Sequence, residues 1–412
     1  MRFTVVACGG EGDTRPIAAL CRGLMDAGHE VCFFSEESTL SFAASLGVRT
    51  RILAGDTREA MPSGHPMQAL HLTDIITAGK KVMAVANDNA ASRMRAIAEH
   101  AQASDGILFS TFALFAGLIV AQALGKPAIG LWFQPITPTR EFLSPMLRPV
   151  KVPGWANRMS YSLLQGYLWR TLGRPAAAAH REVFGTQLNR KPKLDFPILY
   201  GISPHLLRQP RDWPPGHCLC GHWHHSISDW QPPEDLLEFL SAEPPLYIGF
   251  GSSSSFVRGR ALTALIDAVA GRHAIFSPGW SRIDSGVLPS NFFVLDQVPH
   301  SWLFPRTSMV IHHGGAGTTH AAAHAGIPSV ILPVGGDQFF WANLAANAGV
   351  APRHVKGAGS DARTIASMIE FARRDDVRER ARALGAAMSQ EDGIGTAVCE
   401  IEKYMSYASG IN

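Results

Sequence analysis

A glycine-rich turn between an apolar run and an alanine-rich run is the strongest chemical signal in the sequence. It lies within residues 309–333, MVIHHGGAGTTHAAAHAGIPSVILP. A glycine turn at a helix N-terminus exposes unpaired backbone N–H groups beside the positive end of the helix dipole, which suits phosphate. Thr318 and Thr319 add hydroxyl donors, and His313 adds a ring N–H. We therefore predict an anion site at the start of a helix that begins near Thr318.

The residues near this turn exclude two common nucleotide-binding motifs. No Gly-Lys-Ser/Thr triplet follows the glycines, which excludes a P-loop, and the Gly-x-Gly-x-x-Gly spacing of a dinucleotide fold is absent. A serine hydrolase is unsupported as well, because residues 251–255, GSSSS, lack the second glycine of a Gly-x-Ser-x-Gly elbow. A tight turn that only packs a strand against a helix is the alternative to an anion site.

A second cluster of reactive side chains, HCLCGHWHH at residues 217–225, has the composition of a metal site. Its Cys-x-Cys and His-x-His spacings do not match a zinc finger, whose paired cysteines are separated by two to four residues. In a strand, the side chains at 218, 220, 222 and 224 would share one face and could bind a metal adventitiously. We predict a strand that enters a linker, and no functional metal.

Composition indicates a globular chain of several domains. Of its 412 residues, 46% are hydrophobic and 17% charged, which excludes intrinsic disorder. A net charge of +3 gives no support to nucleic-acid binding. Six cysteines are too few for a disulfide scaffold. The N-terminus lacks the apolar core of a signal peptide, so we expect a cytoplasmic enzyme.

Alternating strand and helix patterns predict an α/β protein. Residues 2–8 and 30–35 form strand patterns on either side of a helical pattern at 16–27, and a helical pattern at 90–103 precedes further strands. Such alternation indicates a doubly wound parallel sheet. A second alternating set follows a proline-rich stretch. We predict an N-terminal domain, a linker, a C-terminal domain and a last helix that crosses back onto the first domain, at residues 1–215, 216–235, 236–395 and 396–412.

Two stretches raise the question of membrane contact. Residues 106–125 contain no charge and match the length of a membrane span, but interrupting glycines and hydroxyl residues favour a buried strand followed by a helix. Residues 140–193 contain ten Lys and Arg against two Glu, interleaved with aromatic residues. That segment indicates either a solvated helical insertion or a peripheral surface for anionic lipid.

Several motifs resemble the glycosyltransferases of family one, which have the GT-B fold: two Rossmann-like doubly wound parallel-sheet domains that face a central cleft. Residues 312–319, HHGGAGTT, and residues 326–343 are similar to the donor-binding signature of that family. Residues 9–20 resemble its acceptor-side loop, and residues 296–306 resemble the segment that holds the nucleotide base. Residues 197–223 are similar to the sterol 3-β-glucosyltransferase branch, which implies a flat, hydrophobic alcohol as the acceptor.

The resemblance implies a binding site for a UDP-sugar. Asp337 and Gln338 are implied to hydrogen-bond the sugar hydroxyls. Many plant relatives carry a stacking Trp where this chain has Gln297, so Trp280 is the alternative residue for stacking on the uracil. The resemblance implies that the following residues contact the phosphates, the sugar or the base of the donor: Gly12, Ser252, Trp280, Gln297, Val298, His313, Gly315, Thr318, Thr319, Asp337 and Gln338.

Asp13 is the candidate catalytic residue. Many relatives place a His in the equivalent loop, whereas this chain has Gly12-Asp13-Thr14, and the bacterial antibiotic and sterol branches resemble it in carrying Asp there. We predict that Asp13 is the general base that takes the acceptor hydroxyl proton. An ordinary carboxylate is a weak base for an alcohol, so proton transfer is late or burial tunes Asp13. The alternative role is an N-cap for a helix that starts at Pro16.

The sequence therefore predicts an inverting, metal-independent glycosyltransferase that moves glucose from UDP-glucose to a sterol-like or other lipophilic hydroxyl. No cofactor is expected beyond the UDP-sugar co-substrate, and the protein is expected in the cytoplasm or peripherally at the inner membrane surface. Two alternatives stay open: a UDP-sugar 2-epimerase of the same fold, which acts on the donor alone, and a non-catalytic nucleotide-sugar-binding protein.

Overall fold

The computed structural model describes most of the chain. The description covers residues 1–60, 72–188, 191–225, 230–257, 259–279, 288–296, 298–353, 357, 359–408 and 410. Two arrangements of parallel strands and helices, one in each half of the chain, make up the fold.

The N-terminal domain is built on a parallel sheet. Its strands are β1 (Arg2–Val6), β2 (Glu30–Ser35), β3 (Arg49–Ile52), β4 (Gly106–Ser110), β5 (Ala128–Trp132), β6 (Ile198–Tyr200) and β7 (His217–Leu219). They pair in the order β3-β2-β1-β4-β5-β6-β7. Its helices are α1 (Glu11–Asp26), α2 (Ser41–Ser45), α3 (Leu72–Asp88), α4 (Ala90–Ala101), α5 (Leu114–Leu124), α6 (Gly154–Leu168) and α7 (Arg174–Phe184).

The C-terminal domain repeats this plan with a smaller sheet. Its strands are β8 (Leu246–Gly249), β9 (Ala274–Ser277), β10 (Phe292–Val294), β11 (Met309–His312) and β12 (Ser329–Ile331). They pair in parallel in the order β10-β9-β8-β11-β12. The helices are α8 (Glu234–Leu240), α9 (Arg260–Val269), α10 (His300–Leu303), α11 (Ala316–His324), α12 (Gln338–Asn347), α13 (Ala362–Arg373), α14 (Asp375–Met388) and α15 (Gly393–Ala408).

Parallel sheets need cover on both faces, and the sequence supplies it. β4 and β5 read as continuous apolar runs and are buried at every residue. The charge-free stretch at 106–125 is thus a buried strand and helix, β4 and α5, and a left-handed Gly125 (φ 61°) ends the helix. Within the part of the chain that the structure describes, none of the helices combines the length and hydrophobicity of a membrane span.

The last helix, α15, packs on the N-terminal domain. Its side chains Ala397 and Ile401 lie in the same buried cluster as Phe3 and Leu24 of β1 and α1. The approach is close, because a Cβ on Gly23 would lie 2.2 Å from Ile394 Cγ2. The end of the chain therefore ties the two domains together.

Several element bounds differ from those expected from the sequence. β7 lies inside the expected linker, 216–235, but it pairs with β6 and extends the N-terminal sheet. α1 starts at Glu11, five residues before the expected start at residue 16. Pro16 lies inside the helix, which therefore lacks one backbone hydrogen bond there. Gly10 is the N-cap residue and no side chain caps the helix. The interpretation of Asp13 as an N-cap is therefore wrong.

Candidate active site

A cleft with a volume of about 870 Å³ lies between the two domains. α1 follows β1 and α11 follows β11, so the N-termini of both helices open into the cleft. The two ends approach each other: the Gly12 carbonyl oxygen lies 3.8 Å from the position that a Cβ would take on Gly317. Ligands of parallel α/β sheets bind at the carboxyl ends of the strands, which makes this cleft the candidate site.

The glycine-rich turn forms a cradle at the N-terminus of α11. The helix starts at Ala316, two residues before the expected start, with Gly315 as N-cap and no side-chain cap. The first N–H groups of a helix have no partner within it, so they face the cleft as donors. Gly314 adopts φ 91°, and a Cβ on Gly315 would lie 2.5 Å from His313 Nε2. Only glycine allows this close approach.

His313 lies half-buried beside the cradle, and one of its ring nitrogens is buried and unused. Burial lowers the pKa of His313 to about 4, so the ring is neutral at pH 7. Its Nδ1 has no hydrogen-bond partner among the described residues. A neutral imidazole donates one hydrogen bond, and an unpartnered buried donor beside a helix N-terminus suits an anion.

We expect His313→Ala to weaken UDP binding about 10- to 100-fold, because a hydrogen bond to a charged phosphate contributes about 1.5–3 kcal/mol. Titration calorimetry with UDP measures this change. His205→Ala is the control, since that imidazole lies in the other domain and does not line the cleft. Equal UDP affinities for the two variants would contradict the assignment.

The structure separates the two threonines of the turn. Thr318 lines the cleft, as does Ser252 after β8. Thr319 is only 2% exposed, and its hydroxyl donates to the Gly315 carbonyl at 2.9 Å. Thr319 thus stabilises the turn from inside, and its hydroxyl is turned away from the phosphate position implied by the resemblance.

Asp337 and Gln338 also line the cleft, and both are engaged by the protein. Asp337 Oδ2 accepts from Trp341 Nε1 at 2.9 Å, and burial raises its pKa. Gln338 Oε1 accepts from the backbone N–H groups of Val334 and Gly335, while its Nε2 donates to Ser253 Oγ at 3.1 Å. Gln338 therefore fixes the loop that carries Asp337.

The far end of the cleft corresponds to the base segment implied by the resemblance. Val298 lines it and is buried. Trp280 and Gln297, the two candidates for contact with the uracil, lie outside the described residues. His300 lines this end as well, and its ring stacks on Phe304 with centroids 4.3 Å apart. The sequence interpretation missed His300, although it lies within the base segment.

Asp13 lies in the first turn of α1, facing the cradle across the cleft. Burial, with the nearby Asp337 carboxylate as the next cause, raises the pKa of Asp13 to about 7. A Cβ on Gly9 would lie 2.8 Å from Asp13 Oδ2, so the turn before the helix requires glycine (φ 111°). A carboxylate with a pKa near 7 is a far better base than an ordinary aspartate.

A hydrogen-bond chain behind Asp13 was not foreseen from the sequence. Gln134 Nε2 donates to Asp13 Oδ1 at 3.3 Å, and Thr111 Oγ1 donates to Gln134 Oε1 at 3.1 Å. The chain orients the carboxylate, and a backbone hydrogen bond from Gly10 also stabilises its ionised form. A signal was present, because Thr111 and Gln134 each follow the end of a buried strand, at the edge where sites of parallel sheets form.

The raised pKa of Asp13 predicts an acid limb in the pH profile. Only the ionised carboxylate accepts a proton, so kcat/KM should fall about tenfold per pH unit below about pH 7 and level off above it. Initial rates measured from about pH 5 to pH 9 at low acceptor concentration test this. An aspartate with an ordinary pKa near 3.9 would give a flat profile over that range, which would contradict the tuning.

The Cys- and His-rich stretch has a different arrangement from the expected one. β7 ends at Leu219, so the four side chains do not share one strand face. Instead His222 and His224 meet two histidines of α11: the ring centroids of His224 and His324 are 4.6 Å apart, and those of His222 and His320 are 5.4 Å apart. Over the described ranges, no group of three or more His, Cys, Asp or Glu has the geometry to hold a metal ion. The cluster joins the two domains.

Comparisons with known proteins agree with this geometry. Residues 268–394 match the family described as erythromycin biosynthesis protein CIII-like, C-terminal domain. The chain is 29% identical to sterol 3-beta-glucosyltransferase UGT80A2 of Arabidopsis thaliana, over 99% of this chain and 66% of that protein. It is 28% identical to a sterol 3-beta-glucosyltransferase of Debaryomyces hansenii, over 99% and 27%. The chain thus spans about two thirds and about a quarter of these relatives.

Solved structures resemble the whole chain. The spinosyn forosaminyltransferase SpnP superimposes with a TM-score of 0.68 at 20% identity, covering 98% of this chain and 99% of that one. The glycosyltransferase SsfS6 of Streptomyces sp. SF2575, complexed with thymidine diphosphate, gives a TM-score of 0.62 at 19% identity, covering 98% and 99%. These likenesses establish the GT-B fold. Taken with the curated relatives and the matched C-terminal domain, they support a glycosyltransferase of family one.

Proposed function

We propose that this chain transfers glucose from UDP-glucose to a hydroxyl of a sterol-like or other lipophilic acceptor, with inversion at the anomeric carbon. One observation carries the proposal: a tuned carboxylate, Asp13, and a phosphate cradle, the N-terminus of α11, face each other across one cleft. A donor in the cradle presents its anomeric carbon to the side on which Asp13 lies. The geometry supports a single displacement.

The reaction proposed has one proton acceptor and one leaving group. Asp13 Oδ2 takes the acceptor hydroxyl proton as that oxygen forms a bond to the anomeric carbon of the sugar. The bond from the anomeric carbon to the β-phosphate oxygen breaks on the opposite face, and UDP leaves with the electron pair. The negative charge that grows on the β-phosphate is stabilised by the first N–H groups of α11 and by His313, so we propose no metal cofactor.

The acceptor wall supports a lipophilic alcohol. Phe42, Phe112 and Phe133 line the N-terminal side of the cleft near Asp13. Phe112 is 50% exposed, and its ring lies 3.2 Å from the position that a Cβ would take on Gly9. A flat hydrophobic ring system would cover Phe42 and Phe112 and remove their apolar surface from water, whereas Phe133 is already buried. The names of the curated relatives agree with a sterol.

A matrix of donors and acceptors tests the proposal. UDP-glucose, UDP-galactose and TDP-glucose are each incubated with sterols, polyketide alcohols and hydroxy-lipids, while nucleotide release and product mass are recorded. We expect a hexose adduct on a sterol-like alcohol with UDP-glucose. Conversion of the donor to its C2 epimer without acceptor would support the 2-epimerase instead. Nucleotide binding without turnover of any donor would support a nucleotide-sugar-binding protein.

We further propose a cytoplasmic location with peripheral contact at the inner membrane surface. UDP-sugars and a water-insoluble acceptor meet where a membrane borders the cytoplasm. Fractionation of cells that express the protein tests this location: we expect it in the cytosolic and peripheral membrane fractions, released from the latter by salt.

A further inference from the structure

The helix α6 and the loop before it expose an unusual number of large apolar side chains. Val150, Trp155 and Leu163 are 63%, 68% and 66% exposed. We call the following set the apolar face: Met146, Leu147, Val150, Trp155, Met159, Leu163 and Tyr167. Monomeric soluble proteins rarely expose contiguous apolar patches of this kind unless the patch binds something.

Four members of the apolar face form one ridge of α6. Residues 155, 159, 163 and 167 follow each other at a spacing of four, which aligns side chains along one side of a helix. Their exposed fractions lie between 50% and 68%. The ridge therefore presents two aromatic and two aliphatic side chains to solvent in a continuous row.

The opposite side of α6 carries polar side chains that bond inward. Asn157 Nδ2 donates to the Arg140 carbonyl at 2.8 Å, and Ser160 Oγ accepts from the Ser144 N–H at 2.9 Å. Both side chains are buried. These bonds lock the rotation of the helix, so its apolar ridge is held outward. A helix of a soluble domain has the reverse pattern, with its apolar stripe toward the core.

The charged side chains of the segment that carries the apolar face are all basic. Residues 142–181 contain no Asp or Glu. They contain six Lys and Arg, of which Arg158 reaches one carboxylate, Asp212, at 4.0 Å. A second copy of this chain would bring the same positive charge against itself. An anionic surface is the complementary partner, and basic residues beside an interfacial apolar row are typical of lipid binding.

We propose that the apolar face docks on an anionic lipid bilayer, with Trp155 and Leu163 inserted at the level of the headgroups. The face is continuous with the cleft. Met146 Cε lies 3.7 Å from the position that a Cβ would take on Gly336, and the Arg148 guanidinium lies 4.5 Å from the Phe339 ring centroid. The first contact reaches the loop that carries Asp337, and the second reaches the first turn of α12, which follows it. On the proposed function, docking would let a lipophilic acceptor enter the cleft from the bilayer.

Vesicle co-sedimentation tests the docking without donor or acceptor. We expect the protein to bind phosphatidylcholine vesicles that contain phosphatidylglycerol, and to bind more weakly at high ionic strength. The double variant Trp155→Glu/Leu163→Glu should bind these vesicles about 10- to 100-fold more weakly, because two inserted apolar side chains are removed. The control Leu237→Glu/Tyr407→Glu changes two apolar side chains that are 47% and 76% exposed outside the apolar face and should bind as the parent does.

A second variant keeps the test independent of the apolar substitutions. Lys151→Glu/Arg170→Glu should bind anionic vesicles at least about tenfold more weakly, since each basic residue near the surface adds about 1 kcal/mol. The proposal would be overturned if the parent protein binds vesicles with and without phosphatidylglycerol equally well, or if it binds neither kind of vesicle. The proposal would also be overturned if the parent binds no vesicles but self-associates, and if Trp155→Glu/Leu163→Glu abolishes that self-association. The apolar face would then be assigned to contact with a second copy of the chain.

Hexose transfer to an acceptor dispersed in detergent is measured in parallel. This measurement distinguishes a failure of the docking proposal from a failure of the proposed function. A parent protein that transfers hexose but binds no vesicles would overturn only the docking. Vesicle binding without transfer to any acceptor would support the docking and contradict the proposed function.

Discussion

Asp13→Asn is expected to lower the rate of hexose transfer about 10²- to 10⁴-fold, the usual contribution of a general base, while UDP affinity stays unchanged. Asparagine has the same shape and can keep the hydrogen bond from Gln134, but it cannot accept the acceptor proton. Initial rates from UDP release, with UDP affinity measured separately, give both quantities. A variant that transfers hexose at a rate within about threefold of the parent would remove Asp13 as the base.

The same substitution carries its own control for folding. Because the pKa of Asp13 is raised to about 7 in the folded state, the parent loses stability as the pH rises from about 4, the ordinary pKa of an aspartate, to about 7. The asparagine side chain of the variant mimics the protonated form. Asp13→Asn should therefore melt at a higher temperature than the parent at about pH 8, and the difference should shrink as the pH falls through about 7. Loss of activity together with a lower melting temperature would indicate disruption of the fold instead.

Glu36→Gln is expected to cost about 3–5 kcal/mol of the free energy of unfolding, because it leaves the buried Arg93 guanidinium without its counter-charge. Glu36 and Arg93 form an ion pair of 2.9 Å whose side chains are 0% and 5% exposed. Glu36 Oε2 also accepts from the Thr57 N–H and hydroxyl, while Arg93 Nε donates to the Ala54 carbonyl. The pair thus holds the loop after β3 against the strand ends next to the site.

A matched control exists on the surface. Glu182 pairs with Arg95 at 3.1 Å, and these side chains are 63% and 51% exposed, so Glu182→Gln should change the free energy of unfolding by at most about 1 kcal/mol. Urea unfolding followed by circular dichroism compares the two variants. Equal losses in the free energy of unfolding would contradict the expectation that a buried pair is costlier to break than an exposed one.

Glu36 also raises the pKa of Asp13, so Glu36→Gln should move the acid limb of the activity profile to lower pH.

Local patterns predicted the parts of the fold that depend on neighbouring residues. The strand at residues 30–35 and the charge-free strand and helix at 106–125 follow from apolar runs and their interruptions, and the structure confirms both. The glycine turn before α11 was predicted from glycines that stand between an apolar run and an alanine-rich run, and Gly314 there adopts a positive φ of 91°. The GT-B fold came from resemblance of motifs, which no single periodicity encodes.

Contacts between distant residues could not be predicted in this way. Gln134 reaches Asp13 across 121 positions of the chain, and Arg93 reaches Glu36 across 57. Such pairs depend on which strands are neighbours and on where each strand ends. For the same reason the histidines at 222 and 224 gave no sign that they would meet α11. Thr319 shows a subtler limit, because its type suited a phosphate donor while its position on the helix turned the hydroxyl inward.

The anomeric configuration of the product tests the central claim most directly. The glucosyl group of UDP-glucose is α-linked, so a single displacement in which Asp13 deprotonates the acceptor gives a β-glucoside. The product of UDP-glucose and a sterol, isolated and examined by proton NMR, should show the large vicinal coupling of an axial anomeric proton. An α-glucoside would contradict the single displacement, and with it the role that the cleft assigns to Asp13.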